Sequence, residues 1–451
     1  MSDGVLRPGE MLGEPAALVR PRRLPRKRTV DALAVPRLQR RLVGAIFATT
    51  VAGVIALKVF TLRGIEREIF WGSYAILVGV YLLSRFALAA RYRPTRAVVV
   101  DDALPAVSIV VPAKNEEAAI EQTLRRALAS AYPADRLEII AVDDGSTDGT
   151  LPAMRAVQRD HPDRLRIVSM ENRGKRFAMA EGFVRSRGDV VVFVDSDSFL
   201  DPESVRRMMD YFADERVGCV AGHADVANAS QNVLTRMQSV RYYVAFKVVK
   251  ASEALFGTVT CASGCFSGYR RAAVEPVLHE WLNQTFADTA STYGDDRSLT
   301  NHVLINKWKT LYAPDATAST LVPETLSQFM RQQLRWKKSW IRESLRAGRF
   351  MWKRNVLAAW AFYTGVLLTL MAPVVFLRYV VVRPAMNAGH PWIYATGIVL
   401  MAVLFGLYHR MRRRSSDWLF GILYALFYST VMIWQTPYAL ATLRDGKWGT
   451  R

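Results

Sequence analysis

Apolar segments long enough to cross a bilayer stand toward both ends of this chain and none interrupts its middle, so the chain must fold as a water-soluble body carried between membrane anchors. Residues 42–62 are uncharged apart from Lys58, and residues 69–90 apart from Arg85. Each matches the ~20 apolar residues needed to cross a hydrocarbon core of ~30 Å. Residues 356–382 and 392–408 read as two further spans joined by a short external loop, and a last apolar segment, 418–443, either spans or lies re-entrant or interfacial. Basic runs at 20–28, 37–41, 91–96, 337–354 and 409–414 flank these segments, as the positive-inside rule expects of cytoplasmic loops. Lys and Arg outnumber Asp and Glu by 60 to 40, a net charge of +20. That excess is accounted for by topology, and a nucleic-acid partner is not expected.

The boundaries follow. Residues 1–41 are Pro- and Arg-rich without an apolar core, which predicts a disordered basic cytosolic tail and no cleavable signal. Residues 42–90 form a transmembrane hairpin, 91–326 a cytosolic domain, 327–355 interfacial helices, 356–408 two transmembrane helices, and 409–451 a basic loop with the ambiguous last segment. Cys219, Cys261 and Cys265 make neither a disulfide framework nor a zinc site, and read as small apolar fillers in a reducing compartment.

Inside the soluble part, Val- and Ile-rich runs at 107–111, 137–142, 165–169 and 190–194 alternate with polar helical stretches. This predicts an α/β domain with a mainly parallel sheet and helices on both faces. Ligands of such sheets bind at the carboxyl ends of the strands. Residues 114–117, 143–146 and 195–197 fall there.

Asp143-Asp144-Gly145-Ser146 ends a strand. Its carboxylates either accept hydrogen bonds from a nucleobase imide or ribose, or satisfy the backbone of a turn. Asp195 and Asp197, two apart after an apolar strand, offer hard oxygen ligands to Mg²⁺ or Mn²⁺ bridging a diphosphate. Between the Asp143 and Asp195 motifs, Asn172-Arg173-Gly174-Lys175-Arg176 supplies cations for that diphosphate or is a solvated turn. Gly294-Asp295-Asp296-Arg297 opens a helix, so its carboxylates serve either as a general base or as caps. Gln332, Arg335 and Trp336 share a helical face. There Arg335 can meet a diphosphate and Trp336 a sugar, or both are interfacial anchors.

Taken in this order, the motifs resemble those of the processive family 2 glycosyltransferases, the group of hyaluronan, chitin and cellulose synthases. The resemblance implies a GT-A-like domain joined to an α-helical transmembrane region. It implies a divalent cation at Asp197, nucleotide-sugar contacts from Asn115, Glu116, Asp143, Asp144, Lys175, Arg176, Asp195 and Arg335, and Asp296 as the catalytic base. Ser263, Gly264, Cys265, Asp295, Arg297, Gln332 and Trp336 would then belong to the acceptor site and channel, and Gln332, Arg335 and Trp336 to the signature of processive members. The Trp448-Gly449-Thr450-Arg451 end looks like that of the hyaluronan synthase branch, where Trp448 and Arg451 would act in gating. Two departures stand against that branch: Ser263-Gly264-Cys265 replaces a usual Ser-Gly-Pro, and Lys114 stands where an aromatic is common.

The expectation is a multi-pass enzyme of the cell membrane that polymerises UDP-GlcNAc and UDP-glucuronate (UDP-GlcA) and exports the growing polysaccharide through the lipid bilayer. The alternative is a chitin-type or poly-N-acetylglucosamine synthase that uses UDP-GlcNAc alone. A non-catalytic export scaffold would show degraded motifs, and these are intact.

Overall fold

The computed structural model describes residues 69–93, 98–287, 289–290, 293–387, 391–412 and 417–444, with the isolated helical positions Ala45, Thr49, Ala52 and Ala56 before them. The expected first span, apart from those four positions, and the tail, Trp448 and Arg451 lie outside the described residues.

The expected strands are present as β1 (Val107–Ala113), β2 (Leu137–Asp144), β3 (Leu165–Met170) and β4 (Val190–Phe193). Their β-branched runs suit a sheet covered on both faces, and every residue of β1 and β4 is buried. Alternate side chains enter two cores. Ile109, Ile139 and Val192 pack with Leu124 of α2 (Ile120–Leu128) and Met208 of α5 (Ser204–Tyr211). Val110, Ile140 and Val191 pack on the other face with Phe183 of α4 (Lys175–Arg185). That second core reaches Phe86 and Tyr408 of the apolar helices, so it faces the membrane-length segments.

β3, β2, β1 and β4 run parallel, with Ala113 opposite Asp143, which brings the strand ends into one row. Beyond β4 the sheet is mixed rather than mainly parallel. β7 (Ser267–Arg270) runs antiparallel to both β4 and β6 (Val217–Val226), and β10 (Lys309–Thr320) is parallel to β6. The edge strand β5 (Ser198–Leu200) is antiparallel to β10. The order is β3-β2-β1-β4-β7-β6-β10-β5.

Among the described residues two helices are long and apolar enough to cross a membrane, Ser73–Arg91, most of α1 (Ile69–Arg91), and Val356–Ala385, which contains α9 (Val356–Phe376). Tyr74 of α1 donates to the Leu368 carbonyl of α9 at 3.0 Å. α10 (Pro391–Arg412) carries a shorter apolar stretch, Tyr394–Arg410. The ambiguous last segment is α11 (Trp418–Thr430) followed by the pair Met432–Ala441, bent from it by 45°, a third span if the two are counted as one. The expected surface helix begins earlier than its basic run. α8 (Leu326–Gly348) is capped by Thr325, which accepts from the Gln328 N–H, and includes Gln332, Arg335 and Trp336. Lys337, Lys338 and Arg342 of the basic run are buried rather than spread over a surface.

Candidate active site

The loops that follow β1 and β2 are laced together before any ligand is considered. Asn115, held at φ 54°, donates its N–H to Ser146 Oγ at 3.0 Å and accepts the Thr147 N–H on Oδ1 at 2.9 Å. The Glu116 N–H reaches Thr150 Oγ1 at 2.7 Å, and Glu117 accepts the Gly149 N–H at 2.8 Å. Gly145 has φ 66°, and a Cβ there would stand 2.8 Å from the Asn172 nitrogen, so the turn admits only glycine.

Asp143 and Asp144 part company here. Asp143 accepts from the Ser146 N–H at 3.2 Å and the Ser169 hydroxyl at 3.3 Å, and is not among the residues lining the cavity above the strand ends. Asp144 lines that cavity and receives the N–H groups of Arg173 and Gly174, both at 2.9 Å. Burial raises its pKa, with these two donors acting against the rise. The two carboxylates therefore fasten the turn and the cationic loop, the turn-satisfying alternative weighed from sequence. Only Asp144 also faces the open space.

That space is a cavity of about 1300 Å³. It gathers Lys114, Asn115 and Glu116 after β1, the 172–176 loop, Asp195 and Asp197 after β4, Ser263, Gly264 and Cys265 before β7, and Asp295, Asp296 and Arg297. Gln332, Arg335 and Trp336 of α8 form another wall. Of the sequence-predicted site residues described, Asp143 alone stands outside the lining.

Lys175, the first residue of α4, forms an ion pair with Asp195. Burial opposes the ammonium, but Asp195, with Asp295 and Asp296 beyond, holds the Lys175 pKa above its ordinary value. Burial likewise pushes the Asp195 carboxyl up; Lys175 counters this and Asp197 adds to it. Gly264 accepts the Asp195 N–H at 3.1 Å, and a Cβ at Gly264 would lie 2.8 Å from Asp195 Oδ1. A small residue is required where the strand end and this loop meet. Asp197 accepts from Thr320 Oγ1 at 3.3 Å.

No group of three or more His, Cys, Asp or Glu side chains among the described residues is arranged to hold a metal ion by itself. Asp195 and Asp197 nevertheless fit a hard cation of the kind bound by one or two carboxylates together with substrate phosphates. Both face the cavity, with room for phosphate oxygens to complete the shell.

On the opposite wall Gly294, in the left-handed region at φ 88°, opens α7 (Asp295–Ile305). A Cβ there would collide with Ser339 of α8. Asp295 turns inward to Arg176 Nε at 2.7 Å. Asp296 remains half-buried and accepts from the Arg297 N–H at 2.8 Å and the Cys261 thiol at 3.5 Å. Burial and the neighbouring Asp296 push the Cys261 thiol up to about 11. Buried Glu343 of α8 accepts from Gln284 and from Asn301 Nδ2, the latter at 2.8 Å, locking α7 to α8. Trp336 lies 6.4 Å from the Tyr242 ring of α6 (Val233–Val244), and the Arg241 guanidinium stands 5.4 Å over it. Arg241 and Tyr242 line the cavity and carried no signal in the sequence, because they lie on a helix whose partners are remote in the chain.

Comparison with known proteins bears on this arrangement. Residues 105–339 match the model of a family described as "Glycosyltransferase like family 2". The hyaluronan synthase of Streptococcus pyogenes is 32% identical over 387 residues, 84% of this chain and 90% of the relative. An N-acetylglucosaminyltransferase of Azorhizobium caulinodans is 30% identical over 391 residues, 84% of this chain and 96% of that one. Among solved structures, a mannosyltransferase of Pyrobaculum calidifontis in complex with GDP-Man and Mn²⁺ has a TM-score of 0.53 at 22% identity, over 85% of this chain and 99% of that chain, a likeness of fold.

Proposed function

Because the chain belongs to the family 2 glycosyltransferases, we propose that it is a processive, inverting polymerase of the cell membrane that joins UDP-GlcNAc and UDP-GlcA into hyaluronan and exports the product. The observation that carries this reading is a single cavity with Asp195, Asp197 and Lys175 on one wall, Asp296 on another, and Gln332, Arg335 and Trp336 on the helix between the cavity and the apolar segments.

Asn115, Glu116 and Asp144 line the nucleotide end, and Asp143 positions the turn that carries Asp144 and whose Ser146 holds Asn115. Asp197 and Asp195 hold the divalent cation, Mg²⁺ or Mn²⁺, which when bound neutralises the departing diphosphate. Lys175 beside Asp195 and Arg335 from α8 add fixed positive charge around the cavity, and Arg176 acts through Asp295. Asp296 removes the proton from the acceptor hydroxyl as its oxygen bonds to the anomeric carbon and the bond to UDP breaks. The backbone N–H of Arg297 fixes the carboxylate's direction. Trp336, propped by Tyr242 and Arg241, supplies an apolar face for the terminal sugar. The catalytic domain is cytosolic in this reading. Trp448 and Arg451 would act in gating.

The alternative, a synthase of N-acetylglucosamine polymers or oligomers, is favoured by the likeness to the Azorhizobium N-acetylglucosaminyltransferase and by Cys265 in place of the usual proline. Purified protein supplied with Mg²⁺ and each UDP-sugar singly, then with both, separates the two. Polymer made only from the pair is expected; polymer from UDP-GlcNAc alone overturns the hyaluronan assignment.

A further inference from the structure

One wall of the cavity is built by a single helical row. Arg241, Ala245, Val249 and Glu253 all line it, at intervals of four. On a straight α-helix of 3.6 residues per turn, positions four apart drift by about 40° at each step, and a row of this length leaves its face. Here α6 continues into the π-helical turn Ala245–Lys250, whose wider winding turns the row back. That turn delivers Lys250 to the cavity.

Lys250 is buried, with its ammonium 4.8 Å from the Phe246 ring. It donates to the Cys261 carbonyl, just ahead of Ser263 and Gly264. That carbonyl occupies one of three N–H donors, and Lys250 forms no ion pair among the described residues. Glu253, three residues on, is already engaged: its Oε2 accepts the Thr260 N–H at 3.0 Å and its Oε1 the Thr260 hydroxyl at 3.1 Å. A clamp on the 261–265 loop needs only a neutral donor, and an enclosed ammonium without a counter-charge is costly. The charge therefore calls for a partner that arrives with substrate.

The surroundings identify that partner. Cys261, whose carbonyl Lys250 holds, gives its thiol to Asp296 at 3.5 Å, so a single residue separates the ammonium from the proposed base. Arg297 and Lys250 both act on that thiol, against the burial and the Asp296 charge that raise its pKa. Asp296 would repel an anionic sugar brought to it, and two cations nearby offset the repulsion. A neutral sugar needs no such offset.

We propose that Lys250 binds the carboxylate of the sugar at the growing end when that sugar is a uronate, and so serves one half of the alternation, the addition of N-acetylglucosamine to a uronate end. This rests on the reading that the product contains uronic acid and that Asp296 faces the acceptor. The other half, addition of uronate to an N-acetylglucosamine end, brings no acceptor carboxylate to Lys250.

The test separates the two halves. Full-length protein in nanodiscs, carrying its nascent chain, is chased with UDP-GlcA alone or UDP-GlcNAc alone to fix the terminal sugar and then freed of donor. It next receives the other donor with Mg²⁺ while UDP release is timed over a single turnover. Lys250→Gln keeps a donor for the Cys261 carbonyl but no charge. It is expected to slow addition to uronate ends about tenfold, the scale of one charge-assisted contact, and to leave addition to N-acetylglucosamine ends within about threefold of wild type. Lys250→Arg should restore the wild-type ratio of the two rates. Equal slowing of both halves by Lys250→Gln, or slowing of neither, overturns the proposal. Should wild-type protein build polymer from UDP-GlcNAc alone, the uronic-acid reading itself fails. If wild type needs both donors and Lys250→Gln keeps the wild-type ratio, only the role of Lys250 fails.

Discussion

Arg176 and Asp295 form an enclosed ion pair, Nε to Oδ1 2.7 Å with each side chain 4% exposed, that ties the first turn of α4 to the first turn of α7. Arg176 also donates to the Trp281 carbonyl at 3.0 Å. The pair holds the cationic loop and the carboxylate helix at a fixed separation across the cavity. Removing one partner strands the other's charge in the interior, at a cost of ~3–5 kcal/mol. Arg176→Leu and Asp295→Leu should each lower the thermal midpoint by roughly 6 °C or more, and the double variant by less than the sum of the two. Additive shifts in a melting experiment would show that the residues act separately.

Asp296 has its neighbour's backbone N–H for orientation and a thiol for company, and it stays half-buried. A general base contributes about 10²–10⁴-fold to rate. Asp296→Asn is therefore expected to cut UDP release at least about 100-fold, with UDP affinity kept within a few-fold. Calorimetric titration of UDP beside the rate assay checks both halves. Release at the wild-type rate would remove Asp296 from the mechanism.

Because no group of three or more His, Cys, Asp or Glu side chains among the described residues is arranged to hold a metal, the cation proposed at Asp195 and Asp197 should exchange readily and depend on the nucleotide for tight binding. A chelator is expected to abolish UDP release, and added Mg²⁺ or Mn²⁺ to restore it. Asp197→Asn should raise the metal concentration for half-maximal rate about tenfold, the scale of one charge-assisted contact. An unchanged metal requirement in that variant would move the site elsewhere.

His302 in α7 is buried, with Arg346 Nη1 3.1 Å from its Nε2 and Glu280 3.9 Å from its Nδ1. Burial, with help from Arg346 and Arg176 and against Glu280, lowers its pKa to about 4. An unfolded histidine titrates near ~6.5. The unfolded chain thus binds the extra proton between these values. This contribution to stability is complete above pH ~6.5 and is lost as pH falls toward the folded value. The midpoint of wild type should drop more between pH 7 and pH 4.5 than that of His302→Gln. Parallel curves would refute the assignment.

The part of the fold legible in sequence was the part with local cause. Continuous Val and Ile runs marked β1 to β4, and hydropathy marked the apolar helices. β10 leaves no strand pattern in the sequence because Pro314 and Asp315 interrupt it; its register with β6 shifts between Tyr312 and Thr317, and tertiary pairing overrides the local pattern. β7 is four residues long and includes Gly268, too short and too plain to signal a strand. Asp143 and Asp144 looked alike from spacing. Their difference depends on Ser169 and on the Arg173 and Gly174 N–H groups, far along the chain. Burial of the basic residues of α8 was equally invisible, since composition there favoured a surface.

α8 is an unbroken run of 23 residues, about 34 Å at 1.5 Å per residue. Near its start stand Gln332 and Trp336 at the cavity; further on Lys337 donates to the Met432 carbonyl at 2.9 Å, at the elbow of the bent apolar pair, and Glu343 grips α7. One stiff rod thus serves as a common ruler for the pocket and for the apolar elbow. A load applied to the elbow is delivered to the tryptophan and to α7 together, without a joint between them to absorb it.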